Sequence, residues 1–268
     1  MGVFTRRSAG DFARSLAIQK RVVFALLMRE ALTRFGRHNI GFLWLFVEPM
    51  LFTLGVTAIW TATGMGHGSN LPIVAFAVTG YSGVLVWRNV PNRCVMAIEP
   101  NASLMYHRNV RVIDIYLARI VLEEMGATIS FVILTLLFSF LGWMDLPEDV
   151  FKVIIGWLML AWFGAAFGIL IGTLSEQSEL IEKLWHPTAY LIFPFSGAAA
   201  LVSAMPKALQ DVVLIFPMVH ASEYMREGFF GSKVHATHDL TYMFVINLVL
   251  TALGLMQVRV VARKVIPQ

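Results

Sequence analysis

Few residues in this chain have the types and spacing to do chemistry, and each has a plainer reading. Glu48 stands at the head of Pro49–Trp87, 39 residues without Asp, Glu, Lys or Arg. A carboxylate beside so apolar a run is a functional suspect that needs a cationic partner. Arg88 or Arg93 on a neighbouring helix could supply it, while Pro49 frees a backbone carbonyl and bends the helix that holds it. Glu123 and Glu124 are adjacent, about 100° apart on a helix, so they do not share a face as a general acid and base would. Arg119 lies at i,i+4 from Glu123 and suits a structural pair. His235, His238 and Asp239 are metal-ligand types in a polar stretch, where solvated side chains are the simpler reading. No G-x-x-x-x-G-K-[ST] occurs, so the chain does not bind ATP through a P-loop. The single cysteine, Cys94, excludes an internal disulfide and any Cys-rich metal site.

The elements that must position these residues lie in a membrane. The chain of 268 residues is 57% hydrophobic and 14% charged, against about 45–50% and about 25% in soluble domains. Gly64-Met65-Gly66-His67-Gly68-Ser69-Asn70 and Pro72 break the long run into two crossings. Met125–Met144, Val153–Ser175, Leu184–Pro206 and Leu240–Val258 are each long enough to cross once. The expected fold is therefore all-α and integral to a membrane, a single transmembrane domain over 1–268. Its six spans fall at about 40–63, 71–92, 118–143, 151–175, 182–203 and 240–260. Val212–Ser222 is too short to cross and holds Pro217, so 204–231 is expected to form a re-entrant hairpin. No cleavable leader is expected, because the apolar run nearest Arg6-Arg7, Val22–Leu27, is too short for one.

Residues 14–37 read as an amphipathic interfacial helix. Phe24, Met28, Ala31 and Phe35 fall on one side, with Arg29, Glu30, Thr33 and Arg37 on the other. The loop after the second span carries a helix start in Glu99-Pro100-Asn101-Ala102-Ser103-Leu104, with Asn101 or Ser103 available as N-cap. With six spans, seventeen of the 21 Lys and Arg fall on the side of the termini. The opposite side holds Lys152, Lys207, Arg226 and Lys233. That asymmetry places both termini in the cytoplasm, and it accounts for the net charge of +4 without a nucleic-acid partner. Trp44, Trp60, Trp87, Trp143 and Trp185 fall near span ends as aromatic belts do. Trp162, Tyr81 and Tyr190 lie deeper.

Thr33-Arg34-Phe35-Gly36-Arg37-His38-Asn39-Ile40-Gly41-Phe42-Leu43-Trp44 followed by Glu48-Pro49 resembles the signature that opens the first span of ABC-2 type exporter permeases. Ile215-Phe216-Pro217-Met218-Val219-His220 through Tyr224-Met225-Arg226-Glu227-Gly228-Phe229-Phe230 resembles the motif before their last span, although many members have Asn where Phe216 stands. The likeness covers essentially the whole chain and is closest to the permeases of Gram-negative capsular polysaccharide exporters. O-antigen and teichoic-acid permeases share the plan.

The resemblance implies a homodimer around a channel, bound to two separate ATP-binding-cassette ATPase subunits. ATP and magnesium would sit in those subunits, and this chain would hold no cofactor. It further implies a periplasmic co-polymerase and an outer-membrane channel as partners, and a lipid-linked polysaccharide as substrate. A cytoplasmic mouth rich in Arg37, His38, Arg88 and Arg93 suits an acidic polymer or a phosphate-bearing lipid end. The interfacial helix would gate the channel with the first span, through Arg37, His38, Glu48 and Arg93. A coupling helix at 97–108 would meet the ATPase through Asn101, Ser103, Leu104, Met105 and Tyr106. Trp60, Tyr81, Trp87, Arg88 and Trp162 are the candidates for contact with a glycan, since aromatic faces stack on sugars without demanding register. An exporter of drugs or small lipids would share the membrane plan. A lipid-linked glycosyltransferase would need an acidic or His/Asp constellation near one membrane face, and none is evident.

Overall fold

The computed structural model describes residues 9–36, 39–64, 71–107 and 110–265, and among them every regular element is helical. Helix α1 (Ala9–Phe35) precedes α2 (Asn39–Thr63). Helix α3 (Ile73–Val84) passes through a π-helical turn, Leu85–Asn89, into α4 (Val90–Cys94). A 3₁₀ turn over Glu99–Asn101 leads into α5 (Ala102–His107), and α6 (Val112–Phe140) and α7 (Val150–Ser175) follow. After α8 (Glu179–Ile192) come the short α9 (Lys207–Val213), α10 (Pro217–Phe230) and α11 (Leu240–Val265).

Five helices among the described residues are long and apolar enough to cross a membrane: Leu43–Thr63, Ile73–Cys94, Val112–Phe140, Val150–Ser175 and Leu240–Lys264. The stretch expected to cross at 182–203 is not among them. It begins as α8, survives Pro187, and ends as regular helix at Ile192, with Pro194 in the 3₁₀ turn Phe193–Phe195 that follows. Hydropathy records how apolar a run is, and it does not record that the run stops being one helix.

The third helix is central. Ala75 through Val84 are all buried, enclosed by α2, α6 and α10, with Leu160 of α7 against Gly83. Within an apolar solvent helices associate through close packing rather than through exclusion of water, and α7 is built for that. Gly164, Gly168 and Gly172 recur every fourth residue along the side facing the π turn and α4. A Cβ at Gly172 would lie 2.7 Å from the Cys94 carbonyl oxygen, and one at Gly164 would lie 3.2 Å from that of Val86. Pro49 cannot donate an N–H to the helix. One turn earlier, α6 closes in, and Ser130 Oγ donates to the Phe46 carbonyl at 2.8 Å. Side chains cap the longer helices. The Asp114 carboxylate accepts the Arg111 backbone N–H at 3.0 Å, and Asp149 accepts that of Lys152 at 3.1 Å.

The bundle has two distinct ends. At one lie the C-terminal half of α1, the start of α6, and the final turns of α4, α7 and α11. Arg29, Arg34, Arg93, Arg111, Arg119, Arg259, Arg263 and Lys264 collect there, so it is called the basic end. At the other, the starts of α3, α7 and α11 meet α10. This is the hairpin end.

Candidate functional site

At the basic end, two arginines and two glutamates from four elements form one network. Arg34 of α1 reaches Glu48 of α2 at 2.8 Å and also pairs with Glu123 of α6. Arg93 of α4 approaches Glu48 at 3.9 Å and Glu123 at 3.3 Å. Each carboxylate thus meets both cations. Glu48 does have the Arg93 partner its position called for, while Arg88 is not part of the network. The expected i,i+4 pair between Arg119 and Glu123 is not made. Arg119 turns instead to Glu30 at 3.4 Å and donates to the Arg93 carbonyl at 2.7 Å. Local spacing permitted one pair, and α1, packed on α6, supplied another. The other two predicted gate residues, Arg37 and His38, lie outside the described residues.

Helix α1 packs an apolar strip on the bundle, reaches its neighbours through Gln19 and Arg29, and leaves both polar and apolar side chains exposed on its outer side. Gln19 donates to Asp114 at 2.9 Å, and Arg29 donates to the Asn101 carboxamide oxygen. Leu26, Leu27 and Ala31 are buried with these contacts, whereas Phe24, Met28 and Leu32 are exposed.

The predicted coupling residues divide by burial. Asn101 is buried and does not cap α5. Its amide donates to the Ala97 carbonyl at 2.8 Å while its oxygen accepts from Arg29, so it fastens the loop to α1. Leu104 and Met105 pack half-buried against the core shared by α1 and α6. Ser103 and Tyr106 are exposed and point away from the bundle. The preceding loop is tied to α7, with Met96 N–H donating to Ser175 Oγ at 3.1 Å and Ile98 N–H to Glu176 at 2.7 Å. Burial pushes the Glu176 carboxyl above its ordinary range, and the Ile98 N–H opposes that shift.

The five glycan candidates are not brought together. Trp60 and Trp87 are enclosed in the core, Trp60 tilted against Phe76 with centroids 6.2 Å apart. Trp162 closes the contact between α7 and α11, its Nε1 donating to Thr251 at 3.0 Å. Tyr81 and Arg88 do meet, Arg88 donating to the Tyr81 hydroxyl at 3.3 Å. Their neighbours on the other side come from α8 and its 3₁₀ continuation, Tyr190 and Phe193.

The hairpin end holds charges whose roles the sequence did not disclose. Arg226, counted by pattern with the charges on the side opposite the termini, is fully buried, and so is Glu223. Arg226 donates to the Gly197 carbonyl and, at 2.6 Å, to that of Ala198. Its guanidinium lies 3.8 Å from the centroid of the Phe76 ring. Glu223 accepts the backbone N–H of Val202 at 3.2 Å and of Thr237 at 3.1 Å. The two side chains therefore complete the hydrogen bonding of irregular backbone beyond α8 and before α11. Gly80 makes room for this, since a Cβ there would lie 2.5 Å from the Ala198 carbonyl oxygen. His220 accepts the Asp239 N–H at Nδ1, 2.9 Å, and so donates from Nε2 to the Leu214 carbonyl. Nearer the surface, Glu227 bonds Lys152 at 2.7 Å and His238 at 2.6 Å, and these contacts hold its carboxyl below the ordinary range. No group of three or more His, Cys, Asp or Glu among the described residues could hold a metal.

Residues 21–230 match the family described as ABC-2 type transporter. The chain is 44% identical over 258 residues to the capsule polysaccharide export inner-membrane protein CtrC of Neisseria meningitidis serogroup B, covering 96% of this chain and 97% of that protein. It is 41% identical over 257 residues, with the same coverage, to the capsule polysaccharide export inner-membrane protein BexB of Haemophilus influenzae. To the polysialic acid transport protein KpsM of Escherichia coli it is 27% identical over 248 residues, covering 89% of this chain and 92% of that one.

Proposed function

The chain belongs to the ABC-2 type transporter family, and from that premise we propose that it is the membrane-spanning permease of a capsular polysaccharide exporter in a bacterial inner membrane. The observation that carries the reading is likeness along almost the entire chain to proteins named for capsule polysaccharide export. The more distant likeness to a polysialic acid transport protein favours an acidic polymer over O-antigen or a small lipid.

The basic end faces the cytoplasm, a reading that the distribution of Lys and Arg supports. Six crossings then need α8 and its continuation to traverse as a broken span. In support, α8 starts at the basic end, where Trp185 donates to Asn92 of α4 at 2.6 Å. By residues 197–198 the chain has reached Gly80 and Arg226 in the hairpin half. Irregular backbone at membrane depth is tolerated where protein satisfies its carbonyls, and Arg226 does so here. Residues 204–231 form the re-entrant hairpin on the periplasmic side, and α1 lies in the cytoplasmic interface with Phe24, Met28 and Leu32 toward lipid.

Energy comes from a separate ATPase pair that carries ATP and magnesium, because this chain has no P-loop of its own. The α5 segment is its seat, through Ser103 and Tyr106. Two copies of the chain enclose the channel, with a periplasmic co-polymerase and an outer-membrane channel carrying the polymer onward. The network of Arg34, Glu48, Arg93 and Glu123, with Arg37 and His38 beside it in sequence, is the cytoplasmic gate. Helix α1 leaves α2 there to admit lipid-linked polymer. Depleting the protein in its host tests the function. Polymer is expected to accumulate inside the cell while surface polymer falls, with recovery on re-expression. Unchanged surface polymer would overturn the reading.

A further inference from the structure

We propose that Arg88 is an oxyanion receptor, which with Tyr81 and Tyr190 holds a carboxylate or phosphate group carried by a glycan. This rests on the polysaccharide-export reading and adds the chemical group that is recognised. Arg88 is only 8% exposed. A guanidinium has five N–H donors, yet its one hydrogen bond among the described residues goes to the Tyr81 hydroxyl, and its buried Nε has no partner. The other arginines deep in the protein are provided for. Arg34 and Arg93 share two carboxylates, Arg119 has Glu30, and Arg226 has two carbonyls. Among the described residues Arg88 has no carboxylate within ion-pair distance. A buried cation without an anion is strongly unfavourable, and aromatic faces compensate only in part.

Ordinary anchoring at the membrane surface does not explain this arginine. A lysine or arginine near the end of a span stretches toward that end. Arg88 reaches back two turns to Tyr81, away from the basic end and into the span. It sits in the π turn Leu85–Asn89, and such turns, uncommon and frequent at functional sites, re-aim the side chains they carry. The guanidinium carbon lies 5.8 Å from the Tyr81 ring centroid and 5.2 Å from that of Tyr190. Phe193 closes the far side edge-on to Tyr81 at 6.3 Å. Tyr190 is 63% exposed, so the receptor opens past one aromatic wall. A sugar lying on Tyr190 would present an attached oxyanion to the unpaired N–H groups behind it, the geometry that a guanidinium fork recognises best.

Binding to the full-length protein in nanodiscs tests the receptor, with three probes: oligomeric sialic acid, phosphatidylglycerol, and neutral dextran as control. Arg88→Gln should weaken an anionic probe about tenfold or more, the order expected for losing a charged hydrogen bond, and leave dextran unchanged. Tyr190→Ala alters an exposed residue, so folding is spared, and it should weaken the same probe by a smaller factor. A loss confined to oligomeric sialic acid assigns the receptor to charges along the polymer. One confined to phosphatidylglycerol assigns it to the phosphate of the lipid end. Selective anion binding that survives both substitutions overturns the receptor and leaves the export reading standing. Wild-type protein that prefers neither anion to dextran overturns the receptor and the acidic substrate together.

Discussion

The two ends of the bundle use buried charge in opposite ways. At the basic end, cations meet anions across helices. The partners are interchangeable, since either arginine serves either glutamate, and Glu48 and Arg93 keep exposures of 32% and 43%. At the hairpin end, Arg226 and Glu223 are wholly enclosed and bond to backbone that no other group among the described residues completes. Where Glu48 and Arg93 meet water, a shared network loses little when one contact opens, because water and a second partner replace it, although Glu123 itself is buried. An enclosed charge bonded to carbonyls has no substitute. The lesson is that similar residue types build a separable contact at one end and a fixed one at the other. Under the proposed gate, that difference puts the parting of the bundle at the basic end.

The largest effect should come from Arg226→Met, which leaves two buried carbonyls without donors and Glu223 without its nearby cation. The expected destabilisation is about 3–5 kcal/mol, read as a loss of folded protein or a steep fall in unfolding temperature in detergent. Wild-type stability would show that the hairpin end is not fixed by this residue. Gly80→Val attacks the same contact from α3, forcing apart backbone that now meets within van der Waals range. Overpacking of this kind costs about 1–3 kcal/mol, so its unfolding temperature should fall between those of Arg226→Met and the native chain.

These two residues also show where sequence reading stops. The five long spans follow from uncharged length, and the expectation of Arg88 or Arg93 as a partner for Glu48 follows from the need of a lone carboxylate for a cation. Arg34 could not be chosen from a row of arginines without knowing how α1 lies on α6. The irregular backbone after α8 is bonded by Arg226, which stands 28 residues beyond Ala198 and reads in the sequence as one of the charges opposite the termini. Trp60 and Trp87 sit near span ends, as belt residues would, and only packing shows them enclosed. The meeting of Arg88 with Tyr190 is likewise invisible, since nothing local relates α8 to the π turn.

At the basic end, Glu48→Gln should change stability by no more than about 1 kcal/mol, because Arg34 and Arg93 both retain Glu123. Its effect should appear in export instead, as altered surface polymer at unchanged protein level. A large stability loss would make this end as rigid as the other. The smallest effect concerns pH. Lys152 first, and then His238, hold the Glu227 carboxyl below its ordinary value. Its stabilising contribution is therefore present above the unfolded-state value of about 4.3 and is lost as pH falls through the lower folded-state value. Unfolding temperature measured from pH 7 downward should decline less in Glu227→Gln than in the native chain over that range. Equal declines would remove Glu227 from the account.

The separability of the basic end is best tested by tying it shut. Arg34→Cys with Glu48→Cys, joined by a short thiol-reactive cross-linker, would fasten α1 to α2. The one native cysteine, Cys94, is buried and free, so background labelling should be small. Surface polysaccharide is expected to cease after cross-linking in cells that carry the pair, while each single variant exports after the same treatment. Full export with α1 and α2 joined would show that the polymer does not enter by parting this end.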